Sequence, residues 1–213
     1  MKEAYFTPGN ICSVAADMLS EAAPRGRIEF VPERSALLVI DMQRYFAEET
    51  SHAFVPSSRA IIPGMVRLAG AFRDAGRPVL LTRHFNTPSE AGLMMEWWGD
   101  ILDLHDPLSE IIDELDGMGA VIAKSRYDAF IGTDLESRLS SMDVDTVVIV
   151  GVMTHLCCES TARSAFMKDL KVFFAVDGNA TYNRDLHTGS LRNLAHGFAT
   201  PVLVEDIIGR LSS

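Results

Sequence analysis

Three residues far apart in the chain have the types that nucleophilic catalysis uses: Asp41, Lys124 and Cys157. A thiol attacks as its thiolate. A carboxylate within hydrogen-bond reach can take the thiol proton. An ammonium beside that carboxylate keeps it charged and offsets negative charge building on a substrate oxygen. Singly, each residue has a plainer explanation. Asp41 could cap the segment after it, Lys124 could be a solvated surface lysine, and Cys157 could be a small buried apolar residue. Their places in the sequence join them. Asp41 closes the apolar run 36–41 (ALLVID), Lys124 follows the run 119–123, and Cys157 lies between the β-branched run 146–150 (TVVIV) and a helical stretch.

The segments that must position these residues alternate in kind. Strands are predicted over 36–41, 78–82, 119–123, 146–150, 172–176 and 201–204. Helices are predicted over 63–75, 134–142, 159–169, 185–196 and 205–211. Such βα alternation predicts an α/β fold, a doubly wound sheet of about six parallel strands with helices on both faces. Ligands then bind at the carboxyl ends of the strands, where all three residues fall. A helix starting near Cys157 adds its N-terminal dipole and free N–H groups, which favour a thiolate or an oxyanion. The connection 86–116 is long for this fold and reads as a lid, a binding loop or a short extra helix. Residues 1–34 read as an N-terminal arm with one helix over 13–22, packed on the core or on a neighbouring subunit. Residues 35–213 form the domain proper.

Composition narrows the function. The chain has 213 residues, 47% of them hydrophobic and 23% charged, the balance of a globular domain. With 19 Lys and Arg against 29 Asp and Glu, its net charge of −10 argues against nucleic acid or an anionic membrane as partner. Its basic residues are scattered, Arg25 and Arg27 being the tightest pair. No apolar run approaches the ~20 residues of a membrane span, and MKEAYFTPGN has no secretory pattern. Three cysteines, two of them adjacent, do not make a disulfide framework and point to a reducing, cytoplasmic setting. No CxxC, HExxH, GxGxxG or P-loop pattern occurs.

VIDMQ (39–43), AKSRYDAF (123–130) and GVMTHLCCESTA (151–162) together resemble the isochorismatase-like cysteine hydrolase superfamily, in order and over residues 35–211. The resemblance implies a parallel sheet and a catalytic triad at Asp41, Lys124 and Cys157. It also implies a non-proline cis peptide between Val152 and Met153, with the backbone N–H groups of Met153 and Cys157 aimed at the oxyanion. The motif places the nucleophile at Cys157. Cys158, rotated by about 100° on a helix, is read as packing.

Two branches of the superfamily compete. Isochorismatases hydrolyse a vinyl ether without a cysteine and carry a motif like G-V-Y-A-H-I-G. This chain shares DMQRYF (41–46), Trp98-Gly99, Arg126-Tyr127 and His155 with them, yet has Cys157 where they have glycine. The thiol favours an amidase-type hydrolase that attacks the carbonyl of a small amide or ureido compound and passes through a thioester. An isochorismatase-type reaction with Asp41 as general acid is the alternative, and a non-enzymatic binding or assembly module a second. Nicotinamidases in the superfamily hold a metal through Asp-x-His and a further histidine. Residues 42–54 contain no Asp-x-His, so neither a metal nor an organic cofactor is expected, and His52, His84 and His187 are read as structural.

Phe46, Trp97, Trp98, Arg126, Tyr127, Phe130 and His155 are expected to line the pocket, suiting a small, planar or partly apolar substrate. Arg83 or Arg126 could bind a carboxylate or pair with surface acids. The two tryptophans could instead pack between subunits, and a homo-oligomer, dimer or larger, is expected.

Overall fold

The computed structural model describes residues 1–24, 26 and 28–212, so Arg25 and Arg27 lie outside it. Six strands form one parallel sheet in the order β3-β2-β1-β4-β5-β6. They are β1 (Ser35–Ile40), β2 (Val79–His84), β3 (Ala120–Lys124), β4 (Thr146–Val152), β5 (Lys171–Ala180) and β6 (Thr200–Val202). Every residue of β1 and β4 is buried, as central strands covered on both faces must be. At the sheet edge β3 is half-covered, and Val121 is exposed.

From β1 the chain steps to β2 and β3 on one side, and from β4 to β5 and β6 on the other. Right-handed crossovers running in opposite directions place their helices on opposite faces. They also leave a crevice where the order reverses, between the carboxyl ends of β1 and β4. Leu38 aligns with Leu80 on one side and with Ile149 on the other. Gly151 holds β4 against β1 at this crevice: its φ is +132°, and a Cβ there would come within 2.1 Å of the Ile40 carbonyl oxygen. No other residue fits without moving β1.

The helices are α1 (Ile11–Glu21), α2 (Arg44–Ala47), α3 (Ser58–Asp74), α4 (Leu93–Trp98), α5 (Leu135–Ser141), α6 (Glu159–Met167), α7 (Arg184–Gly197) and α8 (Val204–Leu211). The short α2 follows from no periodic signal. α3 starts five residues ahead of the proline that the sequence pattern puts at its head, so Pro63 lies inside the helix. Ala60 and Ile61 are buried there and hold the first turn down. In the arm, α1 buries Ala15 and Met18 against the core, and Glu21 pairs with Arg192 of α7.

Segment 86–116 carries α4, set between Gly92 (φ +54°) and Gly99 (φ +71°), and two single-turn 3-10 helices. β5 outruns its predicted length because its register with β4 shifts: Ile149 faces Phe174, but Gly151 faces Asn179. Asn179 spans the irregularity, its Nδ2 donating to the carbonyls of Ile149 (2.9 Å) and Ala175 (2.6 Å). The extension delivers Thr181 and Tyr182 to the rim that carries Asp41. No helix among the described residues is long and apolar enough to cross a membrane.

Candidate active site

Asp41, Lys124 and Cys157 meet at the crevice. Lys124 Nζ lies 2.7 Å from Asp41 Oδ2, and both side chains are 0% exposed. The Thr82 hydroxyl donates to Asp41 Oδ1 at 2.6 Å and accepts from the Asp41 backbone N–H at 3.0 Å. Lys124 also donates to the carbonyl of Arg126 at 2.8 Å. Asp41 itself is in the left-handed region at φ +50°. Aspartate tolerates that region better than most side chains, and such residues cluster at functional sites. A buried ion pair is held best when its remaining valences are filled; Thr82 fills Asp41 Oδ1 and the Arg126 carbonyl takes one Lys124 hydrogen, while Asp41 Oδ2 has no hydrogen-bond partner beyond its contact with the ammonium.

The Cys157 side chain lies beside both Asp41 and Lys124, close enough for each to act on its thiol. Burial pushes the thiol well up, outweighing the downward pull of the ammonium, with the Asp41 charge adding to the rise. Burial pulls Lys124 down, but the charges of Asp41 and Cys157 more than offset it and leave its ammonium raised. The resting site is thus a neutral thiol against a carboxylate–ammonium pair.

The Val152–Met153 peptide is cis. Thr154–Cys158 then forms a π-helical turn, in which Cys158 N donates five residues back to Met153 O at 3.3 Å. π-turns recur at functional sites because they re-aim side chains that a regular helix would bury. Here Met153 and Cys157 line a cavity, while Cys158 is 0% exposed and packs in the core.

That cavity, of about 260 Å³, opens over Cys157. Tyr45, Phe46, Trp98, Tyr127 and Tyr182 form aromatic walls, with Met94, Leu102 and Leu156 between them. Phe46, Trp98 and Tyr127 therefore stand where the sequence places them. Trp98 Nε1 donates to the Tyr127 hydroxyl at 2.6 Å, closing one side. His84 lies at the end of β2, its imidazole pulled down to about 4 by burial and by Lys124.

Four expected pocket residues do not line the cavity. Trp97 is 81% exposed, because on α4 the face toward the cavity carries Met94 and Trp98, four residues apart. His155 turns to the Thr181 hydroxyl, with Nδ1 and Oγ1 2.7 Å apart, and Leu156 takes the wall position. Phe130 packs under Lys168, whose ammonium lies 5.5 Å from the ring centroid. Arg126 donates to the carbonyl of Ser125 at 2.8 Å. Arg83 is also committed: it bonds the carbonyls of Leu104 and Ser109, the Ser109 hydroxyl and the Glu110 carboxylate, and so anchors segment 86–116.

Sequence reasoning missed Tyr45, although it stands within DMQRYF, and Tyr182, which lies in none of the quoted motifs. It also left Gln43 without a role. Gln43 is wholly buried; its amide donates to the carbonyls of His84 (2.9 Å) and Ser109 (2.7 Å) and accepts from His84 N (2.8 Å). It thereby ties the end of β1 to β2 and to the long segment. Among the described residues, no three His, Cys, Asp or Glu side chains gather as a metal cage requires.

Residues 35–206 match the family model described as the isochorismatase domain. The chain belongs to this family of hydrolases and is an enzyme of the isochorismatase-like class. Among its relatives, nicotinamidase 3 of Arabidopsis thaliana is 40% identical over 171 residues, covering 78% of this chain and 82% of that one. Enterobactin synthase component B of Escherichia coli strain K12 is 30% identical over 195 residues, covering 89% of this chain and 68% of that one. A crystal structure of a cysteine hydrolase from Pseudomonas syringae pv. phaseolicola superposes with a TM-score of 0.84 at 30% identity, covering 87% of this chain and 96% of that one.

Proposed function

We propose that this hydrolase cleaves the C–N bond of a small, neutral, planar amide or ureido compound through a Cys157 thioester. The observation that carries the reading is that Cys157, at the cavity, converges with the buried Asp41–Lys124 ion pair. Asp41 takes the thiol proton as sulfur attacks the carbonyl carbon, so the thiolate forms only in contact with substrate. The N–H groups of Met153 and Cys157 receive the oxyanion, and Lys124 balances the charge of the carboxylate. The C–N bond then breaks and Asp41 returns its proton to the departing nitrogen. Water, deprotonated by Asp41, hydrolyses the thioester and regenerates the thiol.

The charge of the cavity supports an amide over isochorismate, which carries two carboxylates. Among the described residues, no lysine or arginine lines the cavity wall, while Asp100 does. The cations around it are already engaged: Lys124 with Asp41, Arg83 with Glu110, and Arg126 and Lys2 with backbone carbonyls. Flat aromatic walls suit a planar ring, and the relative named a nicotinamidase points the same way. We also hold that the chain works in a reducing compartment and as an oligomer. Leu93 and Trp97 are exposed on α4, an apolar surface that association would bury; sedimentation as a single-chain species at micromolar concentration would contradict this.

The test is a panel of nicotinamide, aliphatic amides, ureido acids and isochorismate, assayed for ammonia and pyruvate, with mass mapping of any covalent adduct. Ammonia release with an acyl group on Cys157 is expected. An adduct on another residue, or isochorismate hydrolysis retained by Cys157→Gly, would falsify the proposal.

A further inference from the structure

Segment 1–6 precedes the matched domain, yet it lies along both the cavity rim and the turn that carries Cys157. Glu3 N donates to the carbonyl of Tyr182 at 2.8 Å, and Glu3 Oε1 accepts from Arg184 N at 2.7 Å. Lys2 places its ammonium 4.3 Å from the centroid of the Tyr182 ring and 2.5 Å from the carbonyl oxygen of His52. Tyr182 and His52 both line the cavity, and they arrive from opposite sides of the crevice, Tyr182 after β5 and His52 after β1. One ammonium thus clasps the two sides, through a cation–π contact and a charge-assisted hydrogen bond.

Two residues on, Tyr5 goes deeper. Its hydroxyl accepts from Thr181 N at 3.0 Å and lies beside the Thr154 side chain. Thr154 opens the π-turn of the nucleophile, and its hydroxyl lies 2.9 Å from Nδ1 of the buried His187. The rings of Tyr5 and Phe6 pack on that imidazole at 5.3 and 5.4 Å. The back of the turn therefore rests on side chains from the arm.

We propose that Lys2 and Tyr5 are positioning residues of the active site: Lys2 holds Tyr182 and the His52 loop as opposing walls around the substrate, and Tyr5 holds the turn that aims Cys157. The inference rests on the cavity over Cys157 being the substrate site.

Lys2→Met keeps the aliphatic stem and removes the charge. With the best amide of the panel above, KM should rise about tenfold, the scale of losing a charge-assisted hydrogen bond, with kcat within about twofold. Lys2→Arg should restore KM. Tyr5→Phe keeps the ring and removes the hydroxyl. It should lower kcat about tenfold and slow alkylation of Cys157 by iodoacetamide, followed by mass mapping, in parallel. A role in stability alone predicts something else: activity lost only as the folded fraction falls, with KM and the alkylation rate unchanged. That pattern, or wild-type values in both variants, overturns the proposal. Turnover retained by Cys157→Ala would sink the nucleophile reading instead, and the Lys2→Met effect on KM would still decide the clasp.

Discussion

The floor and the roof of the cavity are built by different means. The floor is set at strand ends: Lys124 closes β3, Asp41 follows β1 and bonds the Thr82 hydroxyl, the π-turn follows β4, and the Asp41–Lys124 pair is fully buried. The roof is segment 86–116, pinned by Arg83 and Gln43 from below and by the Trp98–Tyr127 hydrogen bond at the cavity. A preorganised floor suits the charge movements of the reaction, which cannot wait for dipoles to reorient. The roof sets what is admitted, and its glycine-flanked helix can vary without disturbing the sheet. Floor changes should therefore act on kcat and stability, and roof changes on KM.

The largest effects are expected at the floor. Cys157→Ala and Asp41→Asn should each lower amide turnover by about four orders of magnitude or more in steady-state ammonia release. If Asp41→Asn retained a tenth of the activity, the floor would not be the reacting centre. Lys124→Met leaves the Asp41 carboxylate buried without its opposite charge. It should cost about 3–5 kcal/mol of stability, read from urea unfolding.

Acid probes where floor and roof join. His84 is held down to about 4 and His187 to about 3, both first by burial, against about 6.5 unfolded. Between those values the unfolded chain binds more protons, so stability is full above pH about 6.5 and falls as pH drops toward 4 and 3. At full protonation His84 should account for on the order of 3 kcal/mol and His187 for on the order of 5. The urea midpoint measured from pH 7 to 4 should decline along that course, and His84→Gln should flatten the upper part. An unchanged midpoint would mean that neither ring is buried neutral.

At the roof, Tyr127→Phe removes the acceptor of the 2.6 Å bond from Trp98. KM should rise about two- to tenfold, with kcat nearly unchanged. A kcat loss of a hundredfold would erase the distinction between the two regions. Trp97→Ala, at an exposed position, should leave both constants alone and register only in sedimentation.

The same division marks what could be read from the amino-acid string. Asp41, Lys124 and Cys157 were legible because each ends or follows an apolar run, and a parallel sheet gathers such ends on one rim. The walls were not. Trp97 and Trp98 are adjacent, and only the phase of a six-residue helix says that Trp98 and Met94 share the cavity face. Tyr182 reaches the rim through a register shift that no two-residue period reports. His155 lies beside the nucleophile in sequence, but the wide π-turn sends it to Thr181. Gln43 sat within a quoted motif, yet its work depends on which strand lies beside β1.

Burying the proposed nucleophile as a thiol bears on how the enzyme ages. Peroxide attacks thiolates and exposed sulfur, and its products beyond sulfenic acid are not readily reversed. Cys157 is 5% exposed and its thiol is pushed up by burial, whereas Cys12 is exposed on α1. Under oxidative stress the first sulfur lost is then one that takes no part in turnover. The enclosure that, on the proposed mechanism, makes Cys157 wait for its substrate also lengthens its service life.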